Sequence, residues 1–136
     1  WRNIMRKYIY PAIFHPEEEG YSVFVPDIEG CFSQGDTLEE AYEMTTDAIG
    51  LCLEDRLANG EAAPQPSDPT KVKHESGDFV ALIEFDMIAY QQKHDTKAIK
   101  KTLTIPSWLN KMAEEQHINF SGVLQSALKQ QLNIDR

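Results

Sequence analysis

At 136 residues the chain is long enough for one comfortable domain or two small ones. Hydrophobic residues at 41% and charged residues at 26% are ordinary globular composition and argue against disorder. The net charge of −9 excludes a surface coated throughout in positive charge for gripping nucleic acid. That average hides a division: residues 1–96 hold 7 Lys+Arg against 19 Asp+Glu, whereas residues 97–136 hold 6 against 3. An acidic body at −12 is followed by a basic tail at +3.

The longest strongly apolar run, Phe79 to Ile83, falls far short of the ~20 residues that cross a bilayer. Arg6 and Lys7 precede a short apolar stretch, Ile9 to Phe14, which is broken by Pro11 and has no small-residue cleavage site. No signal peptide is expected, and the chain reads as cytoplasmic. Trp1 to Ile4, ahead of Met5, are set aside from the fold argument. Cys31 and Cys52 can pair on counting alone; without an export signal, two buried reduced thiols are expected.

In chain order, Tyr8 to His15 is aromatic and β-branched, and Pro11 marks it as an edge strand or a bulged one. Glu17-Glu18-Glu19-Gly20 is a turn, and Tyr21 to Val25 is a second strand joined to the first as an antiparallel hairpin. Cys31 to Ser33 is a short third strand bordered by Gly30 and Gly35. A helix follows, with Asp36 as N-cap and Glu39 completing a capping box. Its apolar stripe is Leu38, Ala41, Tyr42, Thr45, Ala48, Ile49, Cys52 and Leu53, and Asn59-Gly60 stops it. Pro64, Pro66 and Pro69 stiffen the next loop, and Phe79 to Phe85 reads as a strand buried on at least part of both faces. The expected body, residues 5–90, is therefore β-β-β-α-β: an α+β layer with one helix on an antiparallel sheet. The polar run Gln91 to Lys97 is expected as a linker.

The tail, residues 98–136, opens with alternation: Leu103 and Ile105 on one face, Lys100, Thr102 and Thr104 on the other. Pro106 fits the first position of a helix over Ser107 to Gln116, which aligns Leu109, Met112 and Ala113. His117 to Asn119 breaks it, and Asn119 is a suitable N-cap for a second helix carrying Val123, Leu124, Ala127, Leu128 and Leu132. A unit of under ~40 residues rarely sustains its own core. The simplest repair is a homodimer whose strands pair and whose helices interlock. Leu103, Ile105, Leu109, Met112, Val123, Leu124, Ala127 and Leu128 would form its core.

This stretch, Lys100 to Pro106 through Leu124, resembles the ribbon-helix-helix DNA-binding module of the Arc and MetJ repressors. The resemblance implies a two-stranded ribbon in the major groove of operator double-stranded DNA, with Lys100, Thr102 and Thr104 at base edges. Asn119, Phe120 and Ser121, at the start of the second helix, would hold a phosphate. Lys101 departs from the pattern, standing where the family usually has an apolar inward residue. A helical hairpin used only for dimerisation is the bland alternative.

The body resembles the HicB antitoxin family. The motif is Pro26-Asp27-Ile28-Glu29-Gly30-Cys31, then Gly35-Asp36-Thr37-Leu38-Glu39-Glu40-Ala41, preceded by Tyr10 to Phe14 and Tyr21 to Val25. The resemblance implies a degraded RNase H-like fold and a protein that neutralises a HicA-like, mRNA-cleaving toxin and represses its own operon. The acidic body suits a basic, RNA-handling partner. Glu17 to Glu19 reads as a solvated turn or a contact for that partner; no other toxin-contacting residue is assigned. Whether dimers associate into tetramers is left open.

Two other classes were weighed. A Mg²⁺-dependent nuclease needs converging carboxylates, for which Asp27, Glu29, Glu84 and Asp86 are candidates. An RNA-binding sheet needs a basic-aromatic platform, which the acidic composition argues against. His15, His74, His94 and His117 have no ligand spacing and neither HExxH nor CxxC occurs, so no metal or cofactor is expected. The reading is a non-enzymatic one.

Overall fold

The computed structural model describes residues 7–134; Trp1 to Ile4, and Met5 and Arg6 at the expected start of the body, lie outside the described residues, as do 135–136. The chain divides into two compact units, one through Lys97 and one from Ala98 onward.

The first unit is α+β. Four strands, β1 (Lys7–Pro16), β2 (Tyr21–Phe24), β3 (Phe32–Gly35) and β4 (Phe79–Asp86), form one antiparallel sheet in the order β3-β2-β1-β4. Helix α1 (Leu38–Ala58) covers one face. Strand β1 is central and not an edge, and its register with β4 runs unbroken from Lys7↔Asp86 to Phe14↔Phe79, so Pro11 creates no bulge. Proline is tolerated because β2 pairs only with Ile13 to Pro16, leaving Pro11 a ladder partner on one side only.

Alternation sends Tyr8, Tyr10, Ala12 and Phe14 inward, with Val23, Ile83 and Phe85 from the flanking strands. Against them α1 packs Ala41, Ile49 and Leu53, while Val25, Ile28 and Cys31 of the β2–β3 connection close one end. Leu38, expected on the buried stripe, is exposed. The helix cap is Thr37, one residue later than the expected Asp36: its hydroxyl accepts the Glu40 N–H at 3.0 Å. The helix stops at Asn59, where Gly60 at φ +78° lets the Gly60 and Glu61 N–H groups bond back to Leu57 and Arg56. Gly35 is required by closeness, since a Cβ there would sit 2.3 Å from the Ala41 nitrogen.

Two expectations change. The polar run from Gln91 is not simply a linker: α2 (Met87–His94) continues from β4, capped by Asp86. Tyr90 lies over α1, where a Cβ on Gly50 would fall 2.2 Å from its ring, and Asp47 of α1 bonds Lys93 and His94, each at 3.3 Å. Charge pairing accounts for the polar face that composition read as unstructured. Second, the burial of β4 is uneven: Ile83 and Phe85 are buried on the α1 side, while on the other face Val80 is half-buried and Leu82 is exposed.

The second unit holds α3 (Ser107–Glu115) and α4 (Phe120–Gln131). His117 at φ +54° and Asn133 at φ +58° end them in left-handed turns, whose N–H groups bond back to Glu114 and Gln130. Pro106 stands one position earlier than expected, as the N-cap rather than the first helical residue.

Candidate functional site

The tail gathers most of the candidate residues. Lys100, Thr102 and Thr104 are exposed in a stretch, 95–106, that belongs to no helix or sheet. The expected strand is not formed within the single chain. A ladder needs a partner, and none of the four sheet strands supplies one.

At the start of α4 the Asn119 side chain accepts the Gly122 N–H at 3.1 Å. That bond engages the oxygen of Asn119 in capping, and Phe120 and Ser121 are exposed at this helix end. Asn119 therefore shapes the end of the helix.

No residue of α3 or α4 is buried. Leu103 keeps 62% of its surface and Val123 57%; Ile105, Leu109, Met112 and Leu128 are exposed as well. Ala127 is exposed and Leu124 is half-buried. Two helices that leave this stripe in water have gained almost nothing from burial. A groove of about 640 Å³ between Ile118 and Gln130 is floored by Val123 and Ala127.

In the body, three of the four nuclease candidates take structural partners. Asp27 accepts the Ser67 N–H at 2.8 Å and the Ser67 hydroxyl, latching the proline-rich segment to the β2–β3 connection. Glu84 pairs with Lys7 at 3.6 Å, and Asp86 accepts the Ile88 and Ala89 N–H groups at the start of α2. Glu29 is exposed in the connection. Among the described residues no three His, Cys, Asp or Glu side chains are grouped to hold a metal ion.

Cys31 and Cys52 are both free. Burial, and then the neighbouring Cys52, push the Cys31 thiol up to about 12, which keeps it protonated and unreactive. Burial likewise raises the phenol of Tyr10, whose hydroxyl donates to the Pro64 carbonyl at 2.7 Å. At the far end of β1, His15 meets the Asp78 carboxylate at 2.5 Å, and this hydrogen bond and charge raise its pKa.

Sequence reading missed the outer face of the sheet. Ile9, Phe24, Phe32 and Leu82 are all exposed there, and Phe24 stacks on Phe32 with ring centroids 4.9 Å apart. The available signal was that β1 and β4 carry apolar residues at odd and even positions alike, although only one helix is at hand to cover them.

The chain thus joins an acidic α+β body to a small helical unit without a buried helical residue. The model of the HicB-like antitoxin of bacterial toxin–antitoxin systems matches residues 10–128, and the chain belongs to that family. It is 35% identical over 104 residues to an uncharacterized 14.9 kDa protein from the rep–hol intergenic region of Haemophilus phage HP1, spanning 74% of this chain and 75% of that protein. Among solved structures it is similar to a chain of a toxin–antitoxin complex from Streptococcus pneumoniae: TM-score 0.55, 30% identity, 92% of this chain and 99% of that one. It is also similar to a chain of a HicA3 and HicB3 toxin–antitoxin complex: TM-score 0.51, 27% identity, 57% of this chain and 98% of that one. No helix among the described residues is long and apolar enough to cross a membrane.

Proposed function

We propose that this antitoxin binds and neutralises a HicA-like, mRNA-cleaving toxin through its acidic body, and represses its own operon through its tail. The tail acts as a ribbon-helix-helix homodimer on operator DNA, and the protein is a cytoplasmic binding protein without catalytic activity. The body is a reduced relative of the RNase H fold: its sheet and covering helix remain, while Asp27, Glu84 and Asp86 serve as latch, ion pair and helix cap.

One observation carries the tail's part of this reading. Leu103, Ile105, Leu109, Met112, Val123 and Leu128 are exposed in a unit with no buried helical residue, and the adjoining alternate positions are Lys100, Thr102 and Thr104. A second copy buries the first set and, by pairing two strands, aims the second set outward from one ribbon. The similarity to a chain of a HicA3–HicB3 complex supports the toxin as the body's partner.

The test is operator binding by the full chain at matched salt, using DNA from upstream of its own reading frame. Lys100→Ala and Thr102→Ala should each weaken binding by ~1–3 kcal/mol and leave silencing of the co-expressed toxin intact. A double variant that holds the operator at wild-type affinity would refute the ribbon.

A further inference from the structure

The Asn59-Gly60 pair ends α1, and the binding roles described above make no use of it. Of the five asparagines in the chain, Asn59 alone is followed by glycine; Asn3, Asn110, Asn119 and Asn133 precede Ile4, Lys111, Phe120 and Ile134. The difference is chemical. The backbone nitrogen that follows an asparagine can attack its side-chain carbonyl carbon and close a five-membered ring. Any side chain on the following residue crowds that approach, and glycine leaves it open. The surroundings are open too, since a Cβ added at Gly60 would meet nothing within 4 Å. Residues from Ala58 to Ala62 are all exposed. By contrast, the Asn110 side chain donates to Glu114 within α3, and the Asn119 oxygen is engaged as the α4 cap.

The closed helix end holds this reaction back. Gly60 donates its N–H to the Leu57 carbonyl at 3.1 Å, and Glu61 donates to the Arg56 carbonyl at 2.8 Å. Asn59 has ψ 7°, which turns the Gly60 nitrogen away from the Asn59 side chain. The Arg56 guanidinium adds a clamp, donating to the Ala62 carbonyl at 3.3 Å and pairing with Glu61 at 3.5 Å. Ring closure needs these bonds released and no others. Opening the last turn of an exposed helix costs far less than unfolding the body.

We propose that Asn59-Gly60 is a self-modification site, where opening of the α1 end lets the chain deamidate itself with water as the co-reactant. The Gly60 nitrogen loses its proton to solvent and bonds to the side-chain carbonyl carbon of Asn59. The bond from that carbon to the amide nitrogen breaks, and ammonia leaves with a proton from solvent. The succinimide adds one water across either ring C–N bond and opens to aspartate or isoaspartate. No oxidant or reductant is needed.

Both products put a carboxylate at the C-terminal end of α1, where the helix dipole favours positive charge and where Asp55 and Glu61 already stand. Isoaspartate also lengthens the backbone by one methylene and disrupts the turn into the next segment. There Ala63 packs on the core and the Pro64 carbonyl accepts from Tyr10. The body thus carries a chemical clock at this corner.

The experiment incubates the full chain in mildly alkaline buffer, folded and in concentrated urea. It follows ammonia release and the mass of the tryptic peptide from Leu57 to Lys71. Wild type is compared with Asn59→Gln, whose larger ring closes far more slowly, and with Ala58→Gly. Ala58 is exposed, so its replacement weakens the last helical turn without altering charge or core. Circular dichroism checks each fold. Folded wild type should convert at position 59, about tenfold or more slowly than in urea. Folded Ala58→Gly should convert about fivefold faster than folded wild type and match it in urea. The converted fraction, separated by ion exchange, should be cleaved faster by protease between Ala62 and Lys73.

Folded wild type that stays unmodified long after the urea sample has converted overturns the proposal. So does equal conversion of folded Ala58→Gly and folded wild type, because the helix end would not be the gate. Ammonia release at the wild-type rate from Asn59→Gln would place the reaction elsewhere and also reject it. Urea below the unfolding range is the parallel perturbation. There, conversion should rise with hydrogen exchange at the Gly60 amide, and a rate that ignores that exchange rejects the gate.

Discussion

The two units of this antitoxin solve the burial problem in opposite ways. The body closes a core of its own, with Tyr10, Phe14, Ile49, Leu53 and Ile83 fully shielded between sheet and helix. The tail has well-formed helices with left-handed ends and an Asn119 cap, but no buried helical side chain. Regular backbone is thus a poor guide to autonomy: local hydrogen bonds shape a helix, whereas its persistence depends on the apolar area it removes from water. The body closes its core within one chain, whereas the tail leaves its apolar stripe exposed.

The largest effect that would test this contrast lies in the core. Phe14→Ala should cost ~3–5 kcal/mol in urea unfolding, independent of protein concentration. Leu128→Ala in the tail should instead produce a loss that shrinks as protein concentration rises. Equal, concentration-independent losses at the two sites would erase the distinction.

Next comes the seam between α1 and α2. Gly50→Ala drives a methyl group into the Tyr90 ring and should cost ~1–3 kcal/mol. Hydrogen exchange should show the loosening confined to α2 and the facing turn of α1, with α3 and α4 unchanged.

Cutting the latch is a smaller perturbation. Asp27→Ala removes two hydrogen bonds to Ser67 at an exposed position and should cost about 1 kcal/mol. Its clearer readout is faster protease cleavage between Pro64 and Lys73. Unchanged cleavage would mean that the prolines alone hold the segment.

The smallest expected effect is a pH dependence. Asp78, by its hydrogen bond and its charge, holds His15 above its ordinary value of about 6.5. The bound proton therefore favours the folded state: the contribution is full below the unfolded value and is lost as pH rises through the raised one. His15→Gln should narrow the stability difference between mildly acidic and mildly alkaline solution, and Lys100→Ala in the tail should leave it alone.

Much of the body was legible in the chain. Aromatic and β-branched runs bounded by turns at Gly20 and Gly35 marked the strands, and Ala41, Thr45, Ile49 and Leu53 marked the buried side of α1. Errors fell where neighbours in space overrule local signals. Pro11 read as an edge residue because sequence does not reveal that β2 pairs with only half of β1. Gln91 to His94 read as linker because the anchoring of α2 comes from Asp47 and Gly50, some forty residues earlier. The outer sheet face was invisible for a similar reason, since apolar residues on both sides of a strand look alike whether or not a layer covers them.

By itself, then, the sequence determined the split into acidic body and basic tail, the order of β1 to β4 and α1, and the family through its Pro-Asp and Gly-Asp-Thr motifs. Those are properties of charge, period and local backbone chemistry, all written in neighbouring residues. Only the tertiary structure decided that Asp27, Glu84 and Asp86 are spent on a latch, an ion pair and a cap, and that Ile9, Phe32 and Leu82 of the sheet and the tail stripe are exposed. Burial belongs to pairs of distant segments, and which pairs meet is set by how the sheet and helices close around a shared core.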